Sequence, residues 1–121
     1  MAHITALLNS LKASIPHSET EAQQFLQKLS ISDQCAIISA TYIGAAHLHY
    51  DHFIEEGELT NAYFTPDNPY GRFFHTGTPE HWFIEPSGFA YILYSKASNL
   101  ASYCNAFTKC SVNSGYDLAS F

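Results

Sequence analysis

Between residues 47 and 52 the chain gathers side chains that bind metals: His47, His49, Asp51 and His52, with Glu55 and Glu56 close behind. Imidazole nitrogens and carboxylate oxygens are the donors that hold zinc or another divalent transition metal, and a metal held open to solvent activates water for hydrolysis. Which of these donors converge depends on the backbone beneath them. On an extended strand, residues 47 and 49 point to the same side. On a helix, two steps of about 100° send them roughly 160° apart. The helical neighbours are then His49, His52 and Glu56 on one face, and His47, Asp51 and Glu55 on another.

The string His47-Leu48-His49-Tyr50-Asp51-His52 resembles the HxHxDH signature of the metallo-β-lactamase-like hydrolases. That resemblance implies that His47, His49, Asp51 and His52 are ligands to two adjacent ions. It covers only these residues. The family draws a further His, an Asp and a last His from well downstream in a long two-sheet sandwich, whereas residues 53–121 offer only His75 and His81, with Asp67, Glu80 and Glu85 in loop-like surroundings. Phe53, Ile54, Glu55 and Glu56 stand where the motif expects glycines. The string is therefore read as a coincidence. The metal alternative, zinc or a similar ion bound or used for hydrolysis, rests on His49, His52 and Glu56, or on the full motif from His47 to His52 if that stretch is not helical.

Periodicity supports that decision. From Asp33 to Glu56, the residues Cys35, Ala36, Tyr42, Ile43, Ala46, Tyr50, Phe53 and Ile54 fall within one arc of about a third of a helix. Asp33, Gln34, Thr41, His47, Asp51, His52 and Glu55 fall outside it. Ile37, Ile38 and Leu48 do not fit, which predicts a helix touching neighbours on more than one side. Ser30 or Ser32 is its expected cap, Gly44 a bend point, and Gly57 its stop.

Upstream, Ile4, Leu7, Leu8, Leu11 and Ile15 space out a first helix closed by Pro16. Ser18 and Glu21 make a capping box for a second, with Ala22, Phe25, Leu26 and Leu29 as its buried stripe. After Ser87 the pattern Phe89, Leu93, Ala97, Leu100, Cys104 and Phe107 predicts one last helix to about Lys109, followed by an irregular tail from Ser111. The expected fold is a single domain over 1–121. It is mainly α, with about four helices and an aromatic, Pro/Gly-rich insertion before the last.

That insertion, from Asn61 to Pro86, holds four of the five prolines and a dense set of rings. Arg72–Thr76 and His81–Glu85 suit a short β-hairpin. Arg72 is the one cation between Lys28 and Lys96. The candidate binding residues are Tyr63, Tyr70, Arg72, Phe74, His75 and Trp82, able to stack on a planar group or hold an anion. The plainer role for these rings is packing over the helices.

Composition narrows the function classes. Charged residues make up 13% of the chain, against roughly 25% in ordinary soluble domains. Much of the surface must then be uncharged polar groups and aromatic rings, which suits self-association, as a dimer, or a protein partner. The net charge is −6 and the five cations are scattered singly, so nucleic-acid binding through clustered Lys and Arg is not expected. Asp51, Glu55, Glu56 and Glu58 form an acidic end to the third helix that suits a basic partner. Cys35, Cys104 and Cys110 are an odd set with no CxxC, and Cys35 and Cys104 are read as buried apolar groups. No leader or membrane span is signalled, and a cytoplasmic location is expected.

Residues 21–44, from Glu-Ala-Gln-Gln-Phe-Leu through Asp-Gln-Cys-Ala-Ile-Ile to Tyr-Ile-Gly, resemble the middle of a family of small, acidic, mainly helical bacterial proteins of unknown function. The resemblance implies a helical fold and no activity. In that family charged residues flank the glycine, whereas Ala45 and Ala46 follow Gly44 here. The sequence thus leads to a binding or regulatory protein with no assigned catalytic residue and no cofactor. It is expected to act through the aromatic segment and the acidic helix end. The alternatives are the metal site and a small anionic ligand at Arg72.

Overall fold

The computed structural model describes residues 3–53, 86–116, 118 and 121. Among these the protein is mainly α-helical, with five α-helices and no strand: α1 (Ile4–Ala13), α2 (Glu19–Leu26), α3 (Ile31–Ala46), α4 (Phe89–Ser95) and α5 (Leu100–Asn113). Short 3-10 turns, Pro86–Gly88 and Ala97–Asn99, precede α4 and α5. The aromatic insertion and its proposed hairpin lie outside the described residues. No helix among the described residues is long and apolar enough to cross a membrane.

The helix starts follow from their caps. The Ser18 hydroxyl accepts from the Glu21 N–H at 3.1 Å, satisfying one of the donors that a first turn leaves open. Glu21 closes the other half one residue further out, accepting from the His17 N–H at 3.4 Å. Ser30, rather than Ser32, caps α3, with its hydroxyl 3.1 Å from the Asp33 N–H. The stripe Ile4, Leu7, Leu8 and Leu11 of α1 is buried as its spacing requires.

α3 is the central helix. Every residue from Cys35 to Thr41 is buried, because α1, α4 and α5 all pack on it. Ile37 and Ile38, which fit no single stripe, are each fully covered. A helix apolar on all sides belongs in such a position. Asp33, Thr41 and His47, expected outside the apolar arc, are buried as well, while Tyr50, expected within it, is 47% exposed. Thr41 manages its burial by donating to the Ile38 carbonyl at 2.7 Å. Gly44 is a contact point rather than a bend: a Cβ there would lie 2.7 Å from the carbonyl carbon of Tyr103 on α5.

α1 and α2 end before Ile15 and Leu29, which the sequence expectation includes, and three boundaries differ further. α3 stops at Ala46, well short of Glu56. His47 leaves helical geometry (φ −122°, ψ 19°) and its N–H bonds to the Gly44 carbonyl at 3.1 Å, three residues back instead of four. The expected final helix is two helices. Ser95 turns its hydroxyl onto the Ile92 carbonyl at 2.8 Å and Lys96 sits at φ −99°, ψ 2°, so α4 ends there and α5 begins after a 3-10 turn. α4 packs chiefly on α2, and α5 on α3. Finally, α5 runs past Lys109 to Asn113 and closes in a Schellman motif. Gly115, at φ +80°, donates to the Val112 carbonyl at 3.1 Å, and Tyr116 to the Ser111 carbonyl at 3.0 Å.

At the α4–α5 junction, the Lys96 ammonium lies 4.6 Å from the Tyr42 ring centroid and 5.8 Å from that of Tyr103. Burial lowers the Lys96 pKa and raises that of Tyr42, since each charged form loses water. The ring faces recover part of that loss for the ammonium.

Candidate functional site

The side chains singled out for chemistry lie on the segment that follows α3. His47 is 3% exposed. Its Nδ1 is 2.6 Å from the Ile43 carbonyl. A carbonyl only accepts, so Nδ1 carries the proton and caps one of the carbonyls a helix end leaves open. The ring meets Phe53 edge-on at 5.2 Å and Tyr50 at 6.0 Å. A helix stop thus takes one nitrogen of the imidazole that the HxHxDH resemblance would give to a metal, and the ring packs in an aromatic cluster.

Residues 48 to 53 turn back as a strap against the C-terminal half of α5. The Phe53 N–H donates to the Ser114 hydroxyl at 3.0 Å, and the Asn113 amide donates to the Asp51 carbonyl at 2.9 Å. The Cys110 thiol lies 3.4 Å from the Tyr50 carbonyl. Lys109 pairs with the Asp51 carboxylate at 3.4 Å in an exposed ion pair. Phe53 itself is buried, with its ring 5.9 Å from Tyr116 beyond the Schellman turn.

This strap corrects two expectations. The helical relation that put His49, His52 and Glu56 on one face does not hold, because residues 49 to 52 are not helical. His49 and His52 are exposed on the strap, and Glu56 lies outside the described residues. Among the described residues no three His, Cys, Asp or Glu side chains are grouped to hold a metal ion. Nor does the acidic run end a helix: Asp51 sits on the strap, while Glu55, Glu56 and Glu58 lie outside the described residues, as do Tyr63, Tyr70, Arg72, Phe74, His75 and Trp82.

Cys35 and Cys104 are buried, as expected, and so is Cys110. Burial pushes the Cys104 thiol up to about 11, against a smaller downward pull from Lys12. Burial also raises Cys110. Both are poor thiolates at neutral pH.

Two surfaces were not legible in the sequence. The first is a groove of about 400 Å³ between the strap and the outer face of α5, with Leu48 and His49 on one wall and Asn99, Ser102, Asn105 and Lys109 on the other. The signal for it was a polar stripe running opposite the buried Leu100, Cys104 and Phe107, which ordinarily marks only a solvated face. The second is the outer side of α4, where Tyr91 and Tyr94 are 61% and 44% exposed. Set against protein families, curated proteins and solved structures, the chain matches none of them.

Proposed function

We propose that the protein is a small binding or regulatory protein that recognises a basic protein partner. The observation that supports this is the ring pair on α4. Tyr91 and Tyr94 are helical neighbours turned to solvent, while Phe89, Ala90 and Leu93 face the core. Large exposed rings in a chain with so few charges are the kind of surface that association uses. α4 packs on α2, which carries exposed Glu19 and Glu21, and the chain as a whole is at −6. Exposed rings on a chain of net negative charge suit Arg or Lys laid on the aromatic faces. A second copy of this acidic chain fits less well, because like charges would meet. Tyr70 and Trp82 of the aromatic segment extend the same chemistry.

The test is selection from a displayed library of short peptides. Enrichment of peptides combining Arg or Lys with apolar residues is expected. Their affinity should fall at least about tenfold, ~1.4 kcal/mol, in a Tyr91→Ala/Tyr94→Ala variant that keeps its helical circular dichroism. Trp82→Ala and Tyr70→Ala should weaken the same peptides. Selection without a basic bias, or an unchanged affinity in the double variant, would overturn the proposal.

A further inference from the structure

The groove beside the strap has a chemistry of its own, independent of the tyrosine surface. Its volume of about 400 Å³ suits a small molecule. Among the described residues no carboxylate lines it, in a chain whose acids outnumber its cations eleven to five. One of those five cations lines the groove and a second bonds to one of its lining side chains. Lys109 lines the groove directly. The Lys12 ammonium, reaching across from α1, donates to the side-chain Oδ1 of Asn105 at 3.0 Å. Lysine has only donors, so this bond fixes the Asn105 amide with its oxygen toward α1 and leaves its N–H groups as the donors on offer to the groove. Ser102 supplies a hydroxyl one turn away and His49 a ring nitrogen on the opposite wall.

We propose that this groove binds a small organic oxyanion, a carboxylate or a phosphate monoester, held by Lys109, the Asn105 amide and Ser102 with His49 closing over it. Lys109 already has a partner in Asp51 at 3.4 Å, but side-chain exposures of 47% and 78% make that pair weak and exchangeable. An oxyanion in the groove competes with Asp51 for the ammonium. Asp51 therefore acts as a built-in competitor, and its removal strengthens binding.

The full-length chain is titrated calorimetrically with inorganic phosphate, glycerol phosphate and succinate at constant ionic strength, with chloride as the background anion. Saturable binding of at least one of them is expected, and which one binds separates phosphate from carboxylate recognition. Lys109→Met should weaken it at least about tenfold. Asp51→Asn should tighten it several-fold. Lys28→Met, which removes the same charge away from the groove, should change nothing. Absence of saturable binding to all three probes, equal losses in Lys28→Met and Lys109→Met, or weaker binding in Asp51→Asn would each overturn the proposal. None of these outcomes touches the peptide-recognition test above.

Discussion

Gly44 and Tyr103 meet backbone to backbone: the α-carbon of one faces the carbonyl of the other, and no side-chain atom fits between them. This contact sets how closely α3 and α5 approach, and so fixes the distance between the end of α3 and the helix that anchors the strap.

Gly44→Ala is expected to destabilise the protein even though alanine is the better helix former by about 1 kcal/mol. The added methyl meets backbone that cannot rotate away, and overpacking of this kind costs roughly 1–3 kcal/mol. Urea unfolding should show a net loss of up to about 2 kcal/mol. A gain in stability would mean that the two helices are not this close.

Removing the strap's anchors should act locally first. Ser114→Ala deletes the acceptor for the Phe53 N–H, and Asn113→Ala the donor to the Asp51 carbonyl. Each should lower global stability by about 1 kcal/mol. Amide exchange at Phe53 should speed up in Ser114→Ala by more than the global loss explains. Unchanged protection at Phe53 would rule out that bond in solution.

The turn that ends α5 makes a cleaner prediction, because nothing lies within 4 Å of the position a Cβ on Gly115 would take. Any loss in Gly115→Ala then comes from the φ of +80° alone. It should be about 1–2 kcal/mol, with Gly115→Asn losing less because asparagine tolerates the left-handed region. Chemical unfolding of the two variants side by side checks the ranking.

Cys104 predicts a loss of stability at alkaline pH. The unfolded chain releases this proton near 9.0 and the folded chain near 11. Between those values the unfolded state binds fewer protons, so stability falls as pH rises and levels off above the folded value. Raised pKa values at Cys110 and Tyr42 act in the same direction, and the lowered Lys96 opposes them. The slope of unfolding free energy between pH 9 and 11 should be shallower in Cys104→Ala than in the parent.

Metal addition should leave the protein unchanged. His47 is held by its bond to Ile43, whereas His49 and His52 sit exposed on the strap. Zinc should not shift the melting temperature of untagged protein, and elemental analysis should give no stoichiometric metal. A bound metal that is lost in His49→Ala would restore the motif at 47–52 to a working role.

The parts of the fold that the sequence revealed are those fixed by local chemistry. Ser18 and Ser30 mark helix starts because a side-chain oxygen must meet an open N–H two or three residues on. The stripe of α1 follows from spacing alone, and Ile37 and Ile38, which fit no single stripe, pointed to contacts on more than one side of α3. Helix ends were harder to see. Phe53 continues the apolar spacing of α3 and is indeed buried, but it reaches the core by folding back against Tyr116 rather than by extending the helix. Likewise Leu93 and Leu100 lie seven residues apart, a spacing that matches two helical turns and hides the break at Lys96. The groove was invisible for a related reason: Asn99, Ser102 and Asn105 look like a solvated face until the strap, returning from far earlier in the chain, gives them an opposite wall.

The enclosure of α3 has a consequence for how the protein is made. Its coat is shared among α1, completed before it, and α4 and α5, which exist only once residues 86 to 113 have been translated. Until then Ile37, Ile38 and Ile43 have part of their apolar surface uncovered on the ribosome, and cotranslational folding cannot finish. Nascent chains arrested before α5 should therefore be sticky and dependent on chaperones, while chains released after it close up on their own.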